Sequence, residues 1–160
     1  MHVPVLLNEV LEYLMPPGKS IARVIDGTLG AGGHSAALLQ RGAGEILGID
    51  ADPVAIDRAS AALLPFGERA HIVHDSYLHM MNHAAALGWS GVDAILLDLG
   101  VSSMQFDTPE RGFSFRHDAP LDMRFDPANG GSTAADLLNT MDEREIADLL
   151  YKYGEDPDGR

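Results

Sequence analysis

A short apolar run from Ile21 to Ile25 meets Asp26, and four glycines follow within seven residues: Gly27, Gly30, Gly32 and Gly33. Ser35-Ala36-Ala37-Leu38-Leu39 then opens a helical pattern. Strand, tight glycine turn and helix N-terminus, in that order, is where parallel α/β folds hold a cofactor. The glycines suit such a turn because positive φ is cheap for them and a backbone without Cβ lets a ligand approach closely. An ordinary glycine turn would read the same, so the rest of the chain has to discriminate.

Charge does so. A dinucleotide fingerprint cradles a pyrophosphate and carries a third glycine, which is missing after Gly30-Ala31-Gly32. Asp26 at the strand end would repel a phosphate but suits the ammonium group of an amino acid. Asp50 closes a second apolar run, Glu45 to Ile49, at the spacing past the glycines usual for an acid that binds ribose hydroxyls. One acid for an amine and one for a ribose favour S-adenosylmethionine over NAD. The competing class is an NAD-dependent oxidoreductase.

Around this turn the chain alternates. Leu6, Leu7, Val10, Leu11 and Leu14 recur at three- and four-residue steps, which predicts a helix over residues 5–15 stopped by Pro16-Pro17-Gly18. Strands are predicted at 21–26, 45–50, 70–73 and 92–98, the last a nearly continuous apolar run expected to be buried in a parallel sheet. Helices are predicted from Gly33 to Gly42, from Val54 to Leu64 with Pro53 in the first turn, and from Tyr77 to Leu87. Four alternations predict a parallel, doubly wound α/β sheet in the order 3-2-1-4. With 160 residues, 46% of them hydrophobic, the chain can bury one core.

From Leu99 to Gly131 no period survives, and the stretch is dense in Asp, Arg, Phe, Gly and Ser. Loops this long are usually functional or disordered, and its aromatic and apolar residues argue for function. It leaves the same sheet edge as the glycine turn, so it is expected on the substrate side. Helices resume at Thr133–Leu138 and Glu143–Tyr153.

Net charge is −13, from 24 acids against 11 bases, so this chain lacks a broad basic grip on nucleic acid. No cysteine is present, which excludes disulfides and thiolate metal sites and fits a reducing cytoplasm. The apolar start carries no basic residue and is soon interrupted by Asn8, Glu9 and Glu12, so it reads as neither a signal peptide nor a membrane span.

Several strings then point further. His2-Val3-Pro4-Val5-Leu6-Leu7, Asp26-Gly27-Thr28 with Gly32-Gly33-His34-Ser35, and Leu97-Asp98-Leu99-Gly100-Val101-Ser102-Ser103 stand in order, followed by Glu110-Arg111-Gly112-Phe113-Ser114-Phe115, Pro120-Leu121-Asp122-Met123-Arg124 and Tyr153-Gly154-Glu155. Together they resemble the bacterial 16S ribosomal RNA (cytosine-N4)-methyltransferases, across the whole chain. The resemblance implies a Rossmann-like methyltransferase sheet, S-adenosylmethionine as cofactor, and 16S rRNA within the small ribosomal subunit as substrate. It implies cofactor contacts at Gly32, Gly33, His34, Asp50, Tyr77, Asp98 and Gln105, beside the Asp26 already argued from charge.

Family members run to about twice this length. They insert a helical subdomain before the sheet resumes. Residues 1–131 are therefore expected to form an incomplete cofactor domain and 132–160 to begin the insertion. A bare fourth strand would be an edge liability, so the chain by itself is expected to bind cofactor weakly and methylate poorly. Other readings are a methyltransferase on another RNA or a small molecule, and an inactive cofactor-binding fragment.

An exocyclic cytosine amine is a poor nucleophile, so transfer needs the amine held in line and an acceptor for one of its hydrogens. Many amine methyltransferases end the fourth strand with an acid or Asn before Pro-Pro-aromatic. Here Asp98 keeps the acceptor position without the prolines. Asp98, Asp122 and Arg124 are the candidate catalytic residues, with a structural Asp122–Arg124 ion pair as the alternative. His79 and His83 stand four apart on one predicted helix, but no third ligand accompanies them at a telling spacing, so no metal site is expected.

Overall fold

Parallel strands are covered on both faces, which is why their sequences are continuous apolar runs rather than alternating ones. Three such runs and one shorter segment pair here as β1 (Arg23–Asp26), β2 (Glu45–Asp50), β3 (Ala70–His74) and β4 (Ala94–Leu96). All three pairings are parallel and the order is β3-β2-β1-β4, as the alternation predicted. The molecule is described by a computed structural model over residues 4–156, which fall into two units, the first ending at Gly100 and the second beginning at Val101. His2 and Val3 of the N-terminal string lie outside the described residues.

Register explains the two cores of the first unit. Successive strand residues point to opposite faces, so Val24 and Ile46 go one way and Ile25, Leu47 and Ile49 the other. On the first face lie α2 (Gly33–Arg41) and α3 (Pro53–Leu63), with Leu38, Leu39, Ala59 and Leu63 buried against Val24 and Ile46. Leu11 and Leu14 of α1 (Leu7–Leu14) join the same cluster. On the second face Ala84 of α4 (Met80–Ala86) and Trp89 are buried against Ile25, Leu47 and Ile49. The chain winds outward from β1 to β3 on one side and returns across the other to set β4 beside β1. That reversal creates a switch point at the C-terminal end of β1.

β4 departs from expectation. It spans three residues rather than seven, and Ile95, Leu97 and Leu99 are 46%, 41% and 66% exposed. An apolar run reports that a strand is meant to be covered, and not what covers it. The strand is held at its start by Asp93, whose Oδ2 accepts from the backbone N–H groups of Ala22 at 2.7 Å and Arg23 at 3.0 Å. The helix expected from Tyr77 begins as a 3₁₀ turn, Tyr77–His79, before α4 takes over. The first strand starts two residues later than predicted, at Arg23.

In the second unit the stretch read as patternless contains α5 (Ser103–Phe106), opened by a reciprocal cap between Ser102 and Gln105. α6 (Ala134–Thr140) and α7 (Glu143–Gly154) follow, opened by similar caps at Thr133 and Asp142. Among the described residues no helix is long and apolar enough to cross a membrane.

The glycine turn is shaped by protein packing. A Cβ on Gly33 would lie 2.5 Å from Pro4 Cγ, and one on Gly32 would lie 3.3 Å from the Ala59 Cα on α3. Gly32 also has φ +80°, a left-handed conformation that costs an L-residue roughly 1–2 kcal/mol. Gly42 is also left-handed, at φ +109°, but has open space around it. We therefore expect Gly32→Ala to lower unfolding free energy by about 2 kcal/mol or more, and Gly42→Ala by about 1 kcal/mol, in urea titrations. Equal losses would mean that contact with α3 contributes nothing.

Candidate cofactor site

Three carboxylates gather where β1, β2 and β4 end. Asp26 closes β1 and is 1% exposed. Its Oδ2 accepts from the Ser35 hydroxyl at 2.7 Å, and its Oδ1 from the Thr28 N–H at 3.4 Å. The carboxyl thus ties the start of the turn to the first turn of α2. Burial lifts its pKa from 3.8 to about 6; the bonds from Ser35 and Thr28 oppose the rise, and the charges of Asp50 and Asp98 add to it.

Asp50 closes β2. Its Oδ2 accepts from the Gly30 N–H at 2.7 Å and its Oδ1 from the Asp52 N–H at 2.9 Å. The acid expected to meet a ribose is therefore also the clasp of the glycine turn. Asp52 caps α3, accepting from the Val54 N–H at 3.0 Å.

Asp98 follows β4. Its N–H donates to Thr28 Oγ1 at 2.7 Å, which fixes the backbone beside the turn while its side chain stays 49% exposed. His34 Nε2 lies 4.0 Å from Asp98 Oδ2. The imidazole itself is buried, and its Nδ1 has no hydrogen-bond partner. Burial lowers the His34 pKa, against an upward pull from Asp98, so the ring is neutral at neutral pH. Tyr77, half-buried, reaches the same edge: a Cβ on Gly27 would lie 3.0 Å from Tyr77 Cβ and 2.6 Å from Leu97 Cδ2.

Asp26, Gly32, Gly33, His34, Asp50, Tyr77 and Asp98 are thus assembled around one sheet edge of the first unit. Thr28 and Ser35 belong with them, although the sequence does not single them out as partners. Both stand inside the motif strings, but a hydroxyl at a turn gives no sign of which carboxylate it will serve.

Gln105, Asp122 and Arg124 lie in the second unit. Gln105 is buried, its Oε1 accepting from the Ser102 N–H at 2.9 Å. Asp122 and Arg124 form the ion pair named as the alternative: Nε to Oδ1 at 2.9 Å and Nη2 to Oδ2 at 2.6 Å, with the Arg124 N–H also donating to Oδ1 at 3.0 Å. The Arg124 side chain is the main reason the Asp122 pKa falls to about 2.

The two long strings of this unit also interlock. A Cβ on Gly112, at φ +72°, would strike the Pro120 carbonyl and lie 2.7 Å from Asp122 N. Met123 N–H donates to Arg111 O at 3.0 Å, and Arg111 Nη2 donates to the carbonyls of Arg124 and Phe125.

The histidine pair also has a partner the sequence did not suggest. Asp75, after β3, accepts from His79 Nδ1 at 3.0 Å and His83 Nε2 at 2.7 Å. These two bonds, with one from the Ser76 N–H, hold its carboxyl well below the usual carboxylate range. Among the described residues no group of three or more potential ligands could hold a metal ion.

A parallel sheet in the order 3-2-1-4, with a glycine turn at its switch point, defines a Rossmann-like α/β domain. The chain belongs to the MraW methylase family, whose model matches residues 1–160. Among its relatives, the protein named ribosomal RNA small subunit methyltransferase H of Oleidesulfovibrio alaskensis is 48% identical over 158 residues, covering 98% of this chain and 48% of the relative. Proteins of the same name from Heliobacterium modesticaldum and Deinococcus radiodurans are each 49% identical, covering 97% and 99% of this chain and 50% and 48% of theirs. The chain spans about half the length of the curated relatives it matches.

Asp26 gives the edge a measurable pH signature. Its folded pKa, about 6, lies above the unfolded 3.8, so the folded state favours the protonated form. That contribution is fully present below about pH 4 and is lost as pH rises through about 6; two units correspond to roughly 3 kcal/mol. We expect Asp26→Asn to gain stability relative to the parent by up to that amount between about pH 4 and about pH 8. Parallel urea titrations measure it, and a pH-independent difference would show that Asp26 is not buried in its charged form.

Proposed function

We propose that the whole protein transfers a methyl group from S-adenosylmethionine to the N4 amine of a cytosine in 16S rRNA, within the small ribosomal subunit of the cytoplasm. The observation that carries the reading is the convergence of Asp26, Asp50 and Asp98 on one glycine turn, in a chain of this family. A ligand with ammonium and sulfonium charges suits three carboxylates, whereas a pyrophosphate would be repelled. The buried, unpartnered Nδ1 of His34 is a further group such a ligand would satisfy. The name shared by the relatives, a small-subunit ribosomal RNA methyltransferase, supports the substrate class.

In this reading Asp26 faces the amine of the cofactor, Asp50 its ribose and Tyr77 its adenine, with Gly32, Gly33 and His34 forming the turn and Gln105 a further contact. When bound, the cofactor supplies an electrophilic methyl group on a sulfonium. Asp98, its backbone fixed by Thr28 and its side chain exposed, accepts one hydrogen of the cytosine amine at a carboxylate oxygen. The neutral His34 ring beside it leaves that carboxylate unlocked by a cation. Arg124, held by Asp122, lines the base-binding side. Residues 1–131 belong to the cofactor domain of the whole protein and 132–160 open a helical substrate-recognition insertion.

The test is methyl incorporation into purified small subunits by the whole protein and its Asp98→Asn variant. We expect kcat to fall by roughly a hundredfold or more with little change in cofactor affinity by calorimetry, as for loss of a proton acceptor. A variant that loses affinity and keeps kcat would make Asp98 a cofactor contact only. If no methylated cytosine disappears from 16S rRNA in cells lacking the gene, the substrate is wrong.

A further inference from the structure

Phe115 is 102% exposed, standing at the centre of a turn in the second unit with Arg116 beside it. A phenylalanine has no polar atom to reward exposure, unlike Tyr13 and Tyr153, which are also open to solvent but carry hydroxyls. Among the described residues nothing covers this ring, which forgoes the roughly 1.5–3 kcal/mol that burying it would contribute. The turn is nonetheless built to hold it out. The Arg116 N–H donates to Ser114 Oγ at 3.3 Å. Phe113, two residues back, packs on Phe125 with centroids 5.8 Å apart, and the Arg111 guanidinium lies 5.9 Å from the Phe113 ring. Alternate aromatics of one string therefore serve differently: Phe113 anchors the segment and Phe115 projects from it.

We propose that Phe115 is a stacking platform for an unstacked base of single-stranded RNA, with Arg116 on an adjoining phosphate. The inference rests on the RNA reading above and names a contact for it outside the first unit. Charge is what favours RNA stacking as the mode. At −13 the chain has no broad electrostatic grip on a polyanion, so a contact that does not depend on net charge suits it. Base–aromatic stacking is such a contact, because every base has a π face. Arg116 and His117 are both exposed and are followed in sequence by Asp118.

The probe is a short single-stranded RNA, titrated into the whole wild-type protein and its Phe115→Ala and Phe115→Trp variants and followed by anisotropy. We expect Phe115→Ala to weaken binding roughly tenfold or more, and Phe115→Trp to retain it. Emission of the introduced indole should be quenched by the RNA, and the native Trp89 is buried and separable. The melting temperature of Phe115→Ala should equal the parent's, since the ring touches little. Equal RNA affinity of wild type and Phe115→Ala overturns this inference alone. A lowered melting temperature of Phe115→Ala also overturns it, by showing that protein covers the ring. Failure of the wild type to bind the RNA also overturns this inference, while the substrate reading is judged separately by methyl incorporation into small subunits.

Discussion

The carboxylate of Asp50 holds the ligand edge together. One oxygen takes the Gly30 N–H of the turn and the other the Asp52 N–H that starts the next helix, while its backbone carbonyl accepts the Asp75 N–H after β3. A single residue thus ties the start of the next helix to two segments 20 and 25 positions away in sequence. Such joining is needed because a glycine-rich turn loses more conformational entropy on folding than any other. Hydrogen bonds to a charged acceptor contribute about 1.5–3 kcal/mol each and offset part of that loss. The same oxygens retain lone pairs, so structural and binding roles are compatible in one carboxylate.

Burying an acid has a cost, and here it falls on Asp26. Buried below the turn and within the fields of Asp50 and Asp98, it resists ionisation near neutral pH. A cation arriving at this edge would relieve the repulsion of Asp26 by Asp50 and Asp98, the smaller part of that cost. Natural sites often break a local rule in this way and are compensated by the ligand.

Much of this architecture is legible in the sequence, and physical reasons separate what can be read there from what cannot. Strand order follows from alternation and chirality, and the turn from its glycines, because both are local patterns under strong steric rules. The exposure of Ile95 and Leu97 is not legible, since an apolar run does not say which element covers it. Ser102-Ser103-Met104-Gln105 carries the spacing of a capping box, yet α5 is a single turn and leaves no period to detect. The interlock of Gly112 with Pro120 and Asp122, and the bond from Met123 N–H to Arg111 O, rest on non-local backbone contacts that no spacing encodes. Asp75 does not stand out beside His79 and His83 because it precedes their helix, and a search for ligands along one helix face does not reach it.

Electrostatics also separates the two acids proposed for the chemistry. A carboxylate accepts a proton the more readily the less its charge is already satisfied. Asp122 is gripped through both oxygens by Arg124 and pushed to about 2, so relative to an ordinary Asp it is a weaker base by nearly two pKa units. Asp98 has half its side chain in solvent and faces an imidazole that burial keeps neutral. Were His34 protonated, it would clamp Asp98 much as Arg124 clamps Asp122. Burial of that histidine leaves the Asp98 carboxylate without a cation beside it. The pair in the second unit is a different arrangement, in which Asp122 holds the guanidinium of Arg124 in a fixed plane through both of its oxygens.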